Sequence, residues 1–383
     1  MFGLIVATAS QSARGGPDAV PVMDLHSDIL LRAIDNGVDL LDAPPWAQVT
    51  IPTMREGGVR DQVLAVWVNS GLVTGMDAAK RSFQMIDLFE AQAKVHAGDV
   101  GLARTVAESD ALHAEGRIAL WLWLEGGAPI ADDLAMLRTY HRLGIRGMTL
   151  TWTNNLLWAG SSNDKENAEL GLNDFGKDVV REMNRLGMVV DISHVSEKTF
   201  YDTLAITTDP VIASHSCCKA LCDNARNMTD DQLRALATNG GVIGINAYSA
   251  YLSDAWSAAT DEAEKKSEAE IEALKSKFGG NTRNPEYREA RRLLLLSKIP
   301  DESRVTLDTY LNHIEHAAKI MGPEHVGLGS DFDGIWAFPE GLENASKWQS
   351  VAEGLRTRGW NEKDIHGVMN ENVRRVFRKV IDE

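Results

Sequence analysis

The sequence predicts an α/β fold, a (β/α)8 TIM-type barrel with a helical insertion between the seventh and eighth strands. Three observations point there: eight short apolar runs, helical periodicity in most of the gaps between them, and a globular composition. The 383 residues are 44% hydrophobic and 25% charged, which suits a large buried core and excludes disordered and fibrous classes.

The runs, in order, are VMDL at 22–25, QVLAVWV at 62–68, IALWLWL at 118–124, GMTLT at 147–151, MVVDI at 188–192, PVIA at 210–213, GVIGI at 241–245 and VGLG at 326–329. Each is rich in β-branched residues or bounded by turn residues, the mark of a buried strand. Helical periodicity fills 78–96, 131–143, 175–186, 197–204, 230–237 and 307–320. Strand, helix and strand in repetition require crossovers and hence a parallel sheet. Eight such units close a barrel. The segment 250–303 breaks the rhythm with DEAEKKSEAEIEALKSKF and YREARRLLLLSK, and reads as a helical insertion, either a solvated hairpin or a cap or dimer contact. With no repeat or linker that demands a second domain, 21–383 is expected to form one barrel domain.

Residues 1–20 are expected to be a disordered start or a signal remnant, because no Lys or Arg precedes the apolar run of MFGLIVATASQSA as a secretory signal requires. No apolar run reaches the roughly 18 residues of a spanning helix, so no integral membrane segment is expected. Lys and Arg total 39 against 55 Asp and Glu, a formal charge of −16. That field repels phosphate backbones and argues against nucleic-acid binding. The three cysteines, Cys217, Cys218 and Cys222, offer no disulfide framework; their cluster favours a reducing compartment and leaves the periplasm open.

Barrel enzymes collect their chemistry at the C-terminal strand ends. There the sequence places Asp24-Leu25-His26-Ser27-Asp28 after the first strand, Glu125-Gly126-Gly127 after the third, His194 after the fifth, His215 after the sixth and Asp331 after the eighth. His26 and Asp28, two apart on an extended chain, share a face. Taken singly, His194 and His215 also read as helix caps or satisfied core histidines, and Asp331 as an N-cap. Taken together, three histidines with several carboxylates suit two divalent ions bridged by a shared carboxylate, and imidazole with carboxylate and no thiolate points to zinc. His313 and His316 precede the eighth strand and are not expected to be ligands. His96, His113, His141, His325 and His366 lie in helices or connections.

The motifs DLHSDIL, LEGGAPI, DISHVSEKTF, PVIASHS followed by CDNARNMTDDQL, GGVIGIN and HVGLGSDFDG make the chain resemble the membrane (renal) dipeptidase family, zinc peptidases of the amidohydrolase-like class. The resemblance runs from Pro21 onward. It implies two zinc ions per chain, with His26 and Asp28 on one, His194 and His215 on the other, and Glu125 between them. It further implies that Arg226 holds the substrate carboxylate, that Asp331 contacts the metal-bound water as general acid and base, and that Tyr248 lines the substrate pocket. The implied activity is hydrolysis of the amide bond of dipeptides or similar small amides, by a hydroxide that two ions generate near neutral pH. A homodimer is implied by the resemblance alone.

The family reads Leu-Thr-His after the fourth strand, and this sequence reads Leu150-Thr151-Trp152. Trp152 offers an indole N–H donor in place of the histidine, or fills part of the pocket. That departure leaves two further readings open: a related amide or lactone hydrolase with altered substrate, and a non-catalytic metal-binding barrel. The loop 155–173 is expected to be a lid or an ordinary surface loop.

Overall fold

A computed structural model describes residues 19–40, 44, 46–164 and 169–383. The expectation for residues 1–20 falls almost entirely outside them. Nine parallel strands appear: β1 Val22–Asp24, β2 Val59–Trp67, β3 Val100–Leu102, β4 Ile118–Glu125, β5 Ile145–Thr149, β6 Val189–Asp191, β7 Ile212–Ser216, β8 Val242–Ile245 and β9 Val326–Leu328. Eight of them close a barrel in the order β1-β2-β4-β5-β6-β7-β8-β9, the ring sealed where Asp24 pairs with Leu328. β3 was not expected. It stands outside the ring, paired with β4 over Ile118–Leu120, just where β5, which first pairs at Leu122, has not begun.

The alternation of β4 shows how the barrel is filled. Ile118, Leu120, Leu122 and Leu124 pack in one apolar cluster with the surrounding helices, while Ala119, Trp121 and Trp123 pack in another with Met23, Val63, Val189 and Val242. Side chains two apart on a strand share a face, so the first set faces outward and the second fills the barrel. The inner set includes Val373, Val376 and Phe377 from helix Asn372–Phe377, with Phe377 stacked on Trp123 at 5.8 Å and edge-on to Trp121 at 5.0 Å. The interior is therefore a packed core. Gly147 makes room for Trp123, since a Cβ there would lie 2.1 Å from the indole.

The insertion is helical, as expected: Ser249–Leu252, Asp254–Lys266, Glu268–Lys277 and Pro285–Leu296 precede the helix Leu307–Met321 that leads into β9. Its last helix lies at the mouth of the barrel, where Arg288 borders the central cavity. No helix among the described residues is long and apolar enough to cross a membrane.

Candidate active site at the C-terminal strand ends

The strand ends are pinned by buried polar side chains before any ligand enters. At the end of β1, Asp24 accepts from the backbone N–H groups of His26 (3.3 Å) and Ser330 (2.8 Å), with the Ser330 hydroxyl 2.6 Å away. His26 in turn accepts the N–H of Asp331 at 3.1 Å, and Phe332 that of Asp28 at 2.8 Å. Asp191, ending β6, accepts from Trp123 Nε1, Thr149 Oγ1 and the N–H groups of Ser193 and Ser214. These bonds tie β1 to β9 and link β4, β5, β6 and β7. Three residues on these segments, His194, Asp331 and Asp333, are in the left-handed region at φ 67°, 62° and 67°. Such backbone persists only where the surroundings enforce it.

The result is one cluster from all five motifs. His26, Glu125, His194 and His215 are each at most 6% exposed. The two oxygens of Glu125 divide the histidines: Oε2 lies 3.3 Å from His26 Nε2, while Oε1 lies 3.2 Å from His194 Nε2 and 3.7 Å from His215 Nε2. Asp28 Oδ2 is 3.6 Å from His26 Nε2. The Nε2 atoms of His194 and His215 are 2.8 Å apart, and the Ser214 hydroxyl sits 2.7 Å from His215 Nδ1. His26, Glu125 and His215 offer ligand atoms within 4.8 Å of one another, and so do His26, Asp28 and Asp331.

This geometry is electrostatically unbalanced. Burial and the Arg226 charge push His194 down to about 4, and burial with the neighbouring charges pushes His215 well below its ordinary range. Both rings are thus neutral and able to donate a lone pair. Burial works against charge on Glu125 too, but His26 and His194 outweigh it and hold the carboxyl far below the usual range. His26 resists burial through Glu125 and Asp28, which raise it well above normal. Burial, reinforced by Asp28 and Glu125 against the opposing His26, pushes Asp331 up to about 7. Both ring nitrogens of His26 and Nδ1 of His194 are buried with no hydrogen-bond partner. Buried nitrogens without hydrogen bonds beside crowded carboxylates are costly, and a divalent cation relieves both penalties. The donor set fits such an ion.

Above the cluster lies a cavity of about 340 Å³, walled by Trp67, Trp152, Tyr248, Tyr251 and Trp336. Trp152 is edge-on to Trp67 at 4.9 Å and 6.5 Å from the His194 ring. Tyr248 is edge-on to Tyr251 at 5.0 Å. Arg226 takes a different position from the other expected substrate contacts. It borders a smaller cavity of about 110 Å³ behind His194, donates from Nη2 to the His215 carbonyl at 3.1 Å and lies 5.5 Å from the Tyr251 ring. The described part of loop 155–173 packs against the site: Trp158 is buried, and the Ser162 N–H donates to the His194 carbonyl at 2.8 Å.

Sequence reasoning missed Asn246, whose Nδ2 donates to Asp331 Oδ2 at 2.9 Å, and the pinning roles of Asp24 and Asp191. Asn246 carried a signal, since it closes the GIN motif one residue beyond β8. His313 is buried, its Nδ1 accepting from Cys218 N and its Nε2 facing the Leu252 carbonyl, and His316 pairs with Asp230. Neither approaches the cluster's ligand groups. The cysteines are buried and free.

Residues 16–382 match the family described as membrane dipeptidase, peptidase family M19. The chain is 29% identical over 369 residues to Dipeptidase 3 of Mus musculus, covering 94% of this chain and 64% of the mouse protein. It is 37% identical over 273 residues to an uncharacterized dipeptidase of Schizosaccharomyces pombe, covering 70% and 55%. The chain thus spans less than two thirds of the length of these curated relatives. Among solved structures, a dipeptidase described as a metallo peptidase of family M19 superposes with a TM-score of 0.78 at 24% identity, over 96% of this chain and all of that one. A metallo peptidase from Rhodobacter sphaeroides, liganded with a phosphinate mimic of the dipeptide L-Ala-D-Ala, gives 0.78 at 23% over 95% and 100%. Both carry the same barrel fold.

Proposed function

The chain belongs to the membrane dipeptidase family, and from that premise we propose that it hydrolyses the amide bond of dipeptides with two divalent metal ions, zinc by the chemistry of its donors. His26 and Asp28 would hold one ion, His194 and His215 the other, and Glu125 both. The observation that carries this reading is the split of Glu125, one oxygen toward His26 and the other toward His194 and His215. A pair of ions bound there would supply a water of lowered pKa and polarise the scissile carbonyl.

The chain's own residues do the rest. From the smaller cavity behind His194, Arg226, with Nη2 committed to His215 O, would clamp the substrate's terminal carboxylate with its remaining N–H groups, which restricts the site to short substrates. Asn246 fixes Oδ2 of Asp331 and leaves Oδ1 to take the proton of the attacking water and return it to the leaving amine. Trp67 and Trp152 form an apolar wall that excludes bulk water from this transfer.

One observation favours a second reading, a related amide hydrolase with a different substrate. Trp152 stands in the cavity wall where the family's histidine is expected, and indole replaces a hydrogen-bonding group of different reach. A dipeptide panel assayed on zinc-loaded protein, beside elemental analysis of the same sample, separates the two. Two ions per chain with turnover of simple dipeptides supports the dipeptidase; two ions without it directs the search to other amides. One ion per chain or fewer after zinc loading overturns the dinuclear reading. Zinc at a hundredfold excess over its dissociation constant should also stabilise the fold by about 2.7 kcal/mol, read as a rise in melting temperature that chelation reverses.

A further inference from the structure

Beside the catalytic cavity lies a second and larger one, of about 510 Å³. The two share Arg32, Arg288, Ile335 and Trp336 as a common wall. Its apolar lining includes Trp46, Ile335, Trp336 and Phe338. We infer that this cavity is the subsite for the side chain of the substrate's amino-terminal residue, and that Arg288 makes it selective for an acidic one. The inference rests on the reading of Arg226 as the carboxylate clamp.

Direction comes from the two sides of Glu125. Arg226 lies against His194 and His215, on the Oε1 side. The second cavity adjoins the opposite side: the segment 331–336 runs over Asp28 so closely that a Cβ on Gly334 would lie 2.2 Å from Asp28 Oδ2, and Arg32 and Ile335 border both cavities. A dipeptide with its carboxylate at Arg226 therefore carries its amino-terminal residue toward Asp28, Asp331 and the shared wall.

Selectivity comes from which charges are already spoken for. Four arginines line the two cavities. Arg32 donates to the Asp333 carbonyl, Arg283 pairs with Asp35 at 3.5 Å, and Arg292 pairs with Glu289 at 2.9 Å while lying over the Phe338 ring. Arg288, half-buried in the shared wall, has no side-chain hydrogen bond or ion pair among the described residues. The acids nearby are engaged elsewhere: Asp333 accepts from the N–H groups of Gln48 and Val49, and Glu343 from that of Gly341. Among the described residues, the one charged side chain of the shared wall without a hydrogen bond or ion pair is thus Arg288, a cation on the insertion helix. An arginine free to form two parallel bonds is matched by a carboxylate.

The test is a selectivity ratio on zinc-loaded full-length protein: kcat/KM for L-Glu-L-Ala over that for L-Ala-L-Ala. A charge-assisted hydrogen bond at this site corresponds to about a tenfold effect. The ratio should fall about tenfold in Arg288→Gln, chiefly through KM for Glu-Ala, and recover in part in Arg288→Lys. In Arg288→Glu the preference should pass to L-Lys-L-Ala. Because a general loss of activity cancels in the ratio, a merely structural role for Arg288 leaves it unmoved. An unchanged ratio in Arg288→Gln, with Ala-Ala still cleaved, overturns this inference and leaves the dipeptidase standing. Failure of the wild-type protein to cleave any dipeptide overturns both.

Discussion

At the N-terminal end of the barrel, Asp61 is fully buried and accepts from Ser109 Oγ at 2.6 Å, Trp121 Nε1 at 2.9 Å and Arg374 Nη1 at 2.8 Å, with His113 Nε2 at 3.4 Å. At the C-terminal end, Glu125 is nearly as enclosed and sits among three histidines, yet its neighbour His26, 3.3 Å away, makes no hydrogen bond through either ring nitrogen. Similar side chains thus serve opposite purposes. Where each lone pair meets a donor, a buried acid locks β2, β4 and the C-terminal helix together. Where lone pairs meet one another, the protein stores an unmet demand for cations. Barrel enzymes place chemistry at one end and stability at the other, and the difference here is hydrogen-bond satisfaction rather than residue type.

Four substitutions break or sharpen this contrast. The largest effect is expected from Glu125→Gln: hydrolysis should fall at least about 10³-fold, roughly 4 kcal/mol in the barrier, with loss of bound metal by elemental analysis and little change in the melting temperature of the metal-stripped protein. Asp61→Ala should do the reverse, costing about 3–5 kcal/mol of stability in denaturant titration because Arg374 is left buried and unpaired, while kcat per folded molecule holds. Trp152→His, restoring the family's residue, should raise kcat/KM on simple dipeptides about tenfold, well within what one well-placed donor contributes. The smallest effect belongs to Trp121→Phe, which removes one of several donors to Asp61 and should cost about 1 kcal/mol. Equal stability losses from Glu125→Gln and Asp61→Ala would dissolve the contrast.

The eight barrel strands are legible in the sequence because each is an apolar run buried on both faces, and the clustered site residues because each lies at or just beyond the end of such a run. β3 is not legible: Val100–Leu102 is three residues long and exists only to cover the stretch of β4 that β5 leaves bare. The C-terminal helix that plugs the barrel is amphipathic, but nothing local tells that Phe377 will lie on Trp123. Asn246, Asp24 and Asp191 escaped for a related reason. Their importance lies in which N–H and carboxyl groups they meet across the barrel, and sequence neighbours carry no record of that. Arg226 shows the converse limit. Its motif identifies it, but the packing of Tyr251 and His215 decides that it faces the smaller cavity.

The seal between β1 and β9 has a consequence for how the molecule is made. Ser330 reaches back across 304 positions to the carbonyl of His26, and Asp331 joins the same cluster from the far end of the chain. On a ribosome, His26 and Asp28 emerge early and must wait while most of the polypeptide is synthesised. The proposed metal ligands are all in place in the polypeptide once His215 is made, but Asp331 and the β1–β9 seal that holds His26 arrive only with the last strand. The geometry of the site is therefore complete only when the ring has closed, and an intact site reports a finished barrel.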